Sequence, residues 1–150
     1  MNIASTQYTL ENKAFEIYLS GCSGNPRCNG CHNPELWDFS IGENYIHILK
    51  DILKKVKEFD SMIDNIWVLG GEPLDNNLNN LSDLLLALKT TNKKIWLFTR
   101  HEINEVPLNI KHLCDYIKTG RFDIDALAEN NVYYGVKLAS KNQKIHKIKR

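Results

Sequence analysis

Three cysteines, Cys22, Cys28 and Cys31, fall within ten residues and directly follow an apolar run, Ala14 to Leu19. No other feature restricts this chain as much, because the fold must bring three thiols together at the end of one strand. The connecting residues, Gly21-Cys22-Ser23-Gly24-Asn25-Pro26-Arg27-Cys28-Asn29-Gly30-Cys31, are rich in Gly, Asn and Pro. Such a backbone can wrap a compact object and turn N–H groups toward it. Cys114 is the fourth cysteine and lies far away in sequence. The polar start, Met1 to Leu10, lacks a basic then apolar signal, so a cytoplasmic location is expected. Thiols stay reduced there, and clustered cysteines read as metal ligands or catalysts before disulfides.

The remaining pattern alternates short apolar runs with amphipathic stretches. Residues 14–19, 65–69 and 94–99 read as strands, 115–118 as a fourth and 133–138 as a fifth. Helices are expected over 43–59 and 78–89, where apolar residues recur on one face. Strand, loop and helix in alternation imply βαβ crossovers and a parallel sheet. The 150 residues are too few for eight such units. The expected fold is therefore α/β, a partial open (β/α) barrel of about four to six mainly parallel strands, in a single domain over 1–150. In open parallel sheets, ligands sit beyond the carboxyl ends of the strands. The cysteine loop, Gly70-Gly71-Glu72-Pro73 and Thr99-Arg100-His101 each follow a strand and should share that rim.

Charge narrows the partners. The net charge of +1 gives no reason to expect nucleic-acid binding, and no apolar run is long enough to span a bilayer. Residues 137–150 carry Lys137, Lys141, Lys144, Lys147, Lys149 and Arg150 with no acid, which reads first as a solvated basic terminus and second as a surface for an acidic partner or a phosphate.

The spacing C-x5-C-x2-C fits a [4Fe–4S] cluster, whose irons are held by thiolates. Three cysteines leave the fourth iron open for a ligand, as catalytic metals keep a vacant position. A structural zinc would need a fourth ligand from His32 or Cys114, and adjacent Cys31 and His32 rarely both reach one metal. Cys28 to His32 also spells the C-x-x-C-H haem signature, which leaves Cys22 and the double glycine unexplained. A thioredoxin-like dithiol opening a helix at Asn33-Pro34 is opposed by the third nearby cysteine and the upstream strand.

The stretch Cys28 to Asp38, CNGCHNPELWD, resembles the cluster loop of glycyl-radical-enzyme activases in the radical S-adenosylmethionine (SAM) superfamily. The shared residues are Cys31, His32, Asn33 and Trp37. Gly70-Gly71-Glu72-Pro73 resembles the second motif of that family, which binds the methionyl amino group of SAM. Asp115 to Phe122, with Gly120-Arg121-Phe122, and Ser140-Lys141-Asn142-Gln143 resemble segments of the anaerobic ribonucleotide reductase activating proteins. The likeness runs from about residue 14 to residue 148. One departure stands out: the family spacing is C-x3-C-x2-C, and here the turn Gly24-Asn25-Pro26 adds two residues.

The resemblance implies a cytoplasmic enzyme with a [4Fe–4S] cluster on Cys22, Cys28 and Cys31 and SAM on the open iron. It implies reductive cleavage of SAM and a glycyl radical on a large partner, anaerobic ribonucleotide reductase first. The alternatives are the activase of another glycyl-radical enzyme or a peptide-modifying radical SAM enzyme. Flavodoxin or ferredoxin would be the electron donor. The implied SAM contacts are His32, Asn33, Gly70, Gly71, Glu72 (for the ammonium) and Pro73, with Ser140, Asn142 and Gln143 over the adenine; by strand-end position and charge, Thr99, Arg100 and His101 could meet the SAM carboxylate or ribose, and Lys118 its carboxylate. A cluster or zinc module without catalysis is the reading from a different class.

The ligand choice predicts that Cys28→Ala loses bound iron and sulfide after anaerobic reconstitution, whereas Cys114→Ala retains both. Iron and sulfide analysis checks this, and a Cys114→Ala protein without cluster would refute the assignment.

Overall fold

The computed structural model describes residues 1–25 and 27–149; Pro26 of the cysteine-loop turn and Arg150 of the basic segment lie outside them. The chain forms nine strands and three α-helices among these residues. They are β1 (Asn2–Thr9), β2 (Ala14–Leu19), β3 (Glu43–Asn44), α1 (Tyr45–Glu58), β4 (Asn65–Gly70), α2 (Leu78–Lys89), β5 (Lys94–Phe98), α3 (Leu108–Lys111), β6 (Tyr116–Thr119), β7 (Leu127–Tyr133), β8 (Val136–Ser140) and β9 (Lys144–Lys147).

Seven strands form one sheet in the order β3-β1-β2-β4-β5-β6-β9, and β7 and β8 form a separate hairpin. This corrects the expected partial open (β/α) barrel. Parallel pairing is confined to β2–β4, β4–β5 and β5–β6, while β1, β3 and β9 pair antiparallel at the two edges. The sheet is therefore mixed, with few helices, and is not a radical SAM barrel. The physical reason lies in the connections. β1 reaches β2 through a tight turn with Lys13 at φ 45°, which allows only an antiparallel neighbour. β9 likewise returns beside β6 and ends the parallel run.

The four central strands and both long helices lie where their apolar patterns predict. Helix α1 starts at Tyr45 rather than Glu43, because Glu43 and Asn44 pair with Asn2 and Ile3. The Asn44 side chain then caps the helix by accepting from Ile46 N at 3.1 Å. The fifth expected strand, 133–138, straddles the β7–β8 turn instead. Tyr134 and Gly135 both take positive φ there, as a two-residue hairpin turn demands. Within the basic segment, Lys137 lies in β8 and Lys144 and Lys147 lie in β9.

Alternation along the central strands separates two cores. Phe15, Ile17, Leu19, Ile66, Val68, Ile95, Leu97 and Ile117 pack on one face against Leu81, Leu84, Leu85 and Leu88 of α2 and Ile52 and Val56 of α1. Trp67, Trp96 and Tyr116 pack on the other face with Val136 and Leu138 of the hairpin. Trp96 and Tyr116 stack with ring centroids 4.1 Å apart, and Trp96 Nε1 donates to Asn65 Oδ1. The hairpin thus covers the aromatic face, and the strand ends that carry the functional loops lie between these layers. No helix among the described residues is long and apolar enough to cross a membrane.

Leu85 is fully buried and its neighbour Leu86 is 53% exposed. Leu85→Ala is expected to cost about 2–5 kcal/mol through lost burial and the cavity left behind. Leu86→Ala should stay within about 0.5 kcal/mol, as surface changes do. Urea unfolding of the metal-free protein distinguishes the two.

Candidate metal centre

The cysteine loop is closed at its base by its own return. Gly21 N and Cys22 N donate to Leu36 O and Trp37 O at 2.8 and 3.2 Å, at the short 3-10 turn Pro34–Trp37. Gly21 has φ 97°, and the Phe39 ring fills the space a side chain would need. Cys31 N donates to Cys28 O at 3.2 Å, so these two residues share one tight turn. Arg27 lies over the Trp37 ring, 3.8 Å from its centroid.

A second strand end is stitched to that base. Gly71 N donates to Leu19 O at 2.8 Å and Glu72 N to Gly21 O at 2.7 Å. A Cβ on Gly70 would strike Leu19 O, and one on Gly71 would strike Gly21 O. The double glycine is therefore required for the close approach of the two loops. Ser23 N donates to Asp75 Oδ2 at 2.8 Å, which adds a third tie.

A third strand end is held through Glu72. Its carboxylate is 1% exposed and accepts from Leu74 N (3.0 Å), Thr99 Oγ1 (2.7 Å) and Arg100 N (2.7 Å). Burial pushes the Glu72 carboxyl above its ordinary pKa, against the pull of these donors. Arg100 Nη2 spans both Asp75 oxygens at 3.1 Å, and burial works against that guanidinium less than Asp75 and Glu72 favour it. A fourth segment reaches back from beyond β6. Ile124 N donates to Asn29 O, Asn29 Nδ2 donates to Asp123 and Asp125, and His32 lies against Phe122 with ring centroids 4.1 Å apart.

These ties enclose a pocket of about 220 Å³. Of the expected site residues, Cys28, Cys31, His32, Asn33, Gly70, Gly71, Thr99, Arg100, Lys118 and Gln143 line it. Cys22 is not among the lining residues; it is buried, with its sulfur beside Gly24. Burial pushes its thiol up, while the Gly24 N–H and Arg100 pull it down. Glu72 and Pro73 are buried and also absent from the lining. The expected ammonium acceptor thus spends its oxygens on three protein donors. The Thr99 hydroxyl is likewise given to Glu72. Ser140 Oγ accepts from Asp123 N at 2.8 Å and Asn142 Nδ2 donates to Arg121 O at 2.9 Å, so both hold loops together. Sequence reasoning missed Asp75, whose only signal was an acid three residues after Glu72. It also missed the apolar lining residues Leu69 and Phe98, which looked like ordinary strand residues.

The donor set fits an iron–sulfur cluster. No disulfide joins the cysteines. Among the described residues no three His, Cys, Asp or Glu side chains are grouped to hold a single ion. Cubane ligands bind separate irons and need not converge on one point. A buried guanidinium N–H of Arg100 with no partner lies beside Cys22, as an anionic group would require. Residues 13–146 match the family model described as a 4Fe–4S single cluster domain. No curated protein matches the chain.

Lys118 Nζ donates to Gly120 O at 2.8 Å, and burial lowers its pKa to about 8. An unfolded lysine titrates near about 10.4, so between these values the unfolded chain binds more protons and stability rises with pH. Below about 8 the cost of burying the charge is paid in full. Metal-free Lys118→Met is therefore expected to be more stable than wild type at pH 7. The gap should narrow from about pH 8 to about pH 10. Denaturant unfolding across that range checks it, and a constant gap would contradict the burial argument.

Proposed function

The chain belongs to the family of 4Fe–4S single cluster domains, and from that premise we propose that it is a radical SAM enzyme. In this reading it reductively cleaves SAM at a [4Fe–4S] cluster held by Cys22, Cys28 and Cys31. It then generates a glycyl radical on a partner, anaerobic ribonucleotide reductase first. The observation that carries the reading is the composition of one pocket: Cys28, Cys31, the bare backbone of Gly70 and Gly71, and the cation Lys118. Held by Cys22, Cys28 and Cys31, a cluster reduced by flavodoxin or ferredoxin would supply the one electron that splits SAM at C5′–S into methionine and the 5′-deoxyadenosyl radical needed to take hydrogen from the partner's glycine.

The chain's own residues supply position and charge. Lys118 remains mostly protonated at pH 7 and offers a fixed cation to a carboxylate. Gly70 and Gly71 leave backbone groups unobstructed beside a small polar ligand. Glu72 serves indirectly, by fixing the glycine backbone against the cysteine loop. Leu69, Phe98 and Phe122 give an apolar wall that limits water near the reacting carbon. Sequence likeness to the activases at Cys28 to Asp38 and at Gly70 to Pro73 supports the same reading.

The family match, which names a 4Fe–4S cluster and no SAM, leaves a second reading, a 4Fe–4S domain that transfers electrons without SAM. One experiment separates them. Anaerobically reconstituted protein with dithionite and SAM is expected to release 5′-deoxyadenosine. Lys118→Met should lower kcat/KM at least about tenfold, mainly through KM, as loss of a charge-assisted contact does. A glycyl-radical EPR signal should appear when the candidate reductase is added. An intact, reducible cluster that leaves SAM uncleaved would establish the electron-transfer reading instead.

A further inference from the structure

Arg100 carries a buried polar atom that the fold leaves unpaired beside the cysteine loop. Its Nη2 is committed to Asp75, but its Nε–H has no hydrogen-bond partner. Glu72 Oε2 lies 3.9 Å from it, beyond hydrogen-bond range. The side chain is only 13% exposed, so water does not readily replace the missing acceptor. A Cβ on Gly24 would sit 3.2 Å from this Nε and 3.4 Å from Cys22 Sγ. The absent side chain of Gly24 therefore leaves the guanidinium edge and the sulfur facing one small space.

Both sides of that space are incomplete alone. Cys22 is buried and would bind iron as a thiolate, an anion that needs a donor nearby. The unpaired N–H opposes the burial of Arg100. Each supplies what the other lacks. Hydrogen bonds to sulfur and nearby charge are also what set the potential of an iron–sulfur cluster.

We propose that Arg100 is a positioning and tuning residue for the cluster. Its Nε–H donates to the Cys22 thiolate or to a sulfide beside it, and its positive charge raises the reduction potential. Asp75, bonded to the same guanidinium and to Ser23 N, sets how much of that charge the cluster feels. The inference rests on the cluster and its cysteine ligands and is independent of SAM cleavage.

The test is a redox titration without SAM. Wild type, Arg100→Met and Asp75→Asn are reconstituted anaerobically, assayed for iron and sulfide, and followed by the EPR signal of the reduced cluster at set potentials. In Arg100→Met the reduced-to-oxidised ratio at a fixed potential should fall at least about tenfold, equivalent to about 59 mV for a one-electron couple. In Asp75→Asn the ratio should rise. Mere loosening of the site would move both variants in the same direction. An unchanged ratio in a fully loaded Arg100→Met overturns the proposal. Should that variant fail to assemble the cluster, Asp75→Asn decides, and an unchanged or lowered ratio there overturns it. A wild-type protein that takes up no iron and sulfide overturns it together with the ligand assignment, whereas a titratable cluster that leaves SAM intact touches only the proposed function.

Discussion

A single buried carboxylate holds the functional end of this molecule together. Glu72 accepts from the backbone of its own turn, from Thr99 and from the backbone of Arg100, while its N–H donates to Gly21. Three strand ends, those of β2, β4 and β5, thereby meet at one residue. Such a group is costly to bury without donors, and it has three. The glycines before it permit the approach, and the cysteine loop takes its position from that approach. This junction sets the base of the cysteine loop against the strand ends, while Asp75 at Ser23 and Asp123 and Asp125 at Asn29 tie the rest of the loop.

The sequence made the centre of the fold legible and hid its edges. β2, β4, β5 and β6 are buried on both faces and announce themselves as apolar runs; α1 and α2 announce themselves by period. β1 reads NIASTQYT, and its polar residues pair with β2 at a partly exposed edge, so hydrophobicity could not reveal it. β9 contributes one buried residue, Ile145, which leaves almost no pattern to detect. Those antiparallel edge strands are what turn an expected barrel into a mixed sheet.

The site was legible to a similar depth. Cysteine spacing gave the metal chemistry, and the double glycine gave the second loop. What spacing could not reveal was direction. Glu72 looks like a ligand in sequence, yet the fold turns it inward as a tie. Ser140 and Asn142 also serve as ties, because the segment after β6 must be bound back to the cysteine loop to close the pocket. Arg100 and Asp75 gained meaning only once their charges were placed side by side beside Cys22.

The pocket's walls are far apart in the order of synthesis. Its cysteines lie at 28 and 31, yet Lys118, Phe122, Ala139 and Gln143 complete the enclosure. A ribosome adding about 5–20 residues per second leaves the cysteine turn outside without its cover for several seconds or more. The cysteine turn is thus made well before the residues that wall it, so a chain cut after β6 would keep every cysteine of the loop and lose Phe122, Ala139 and Gln143 from the wall.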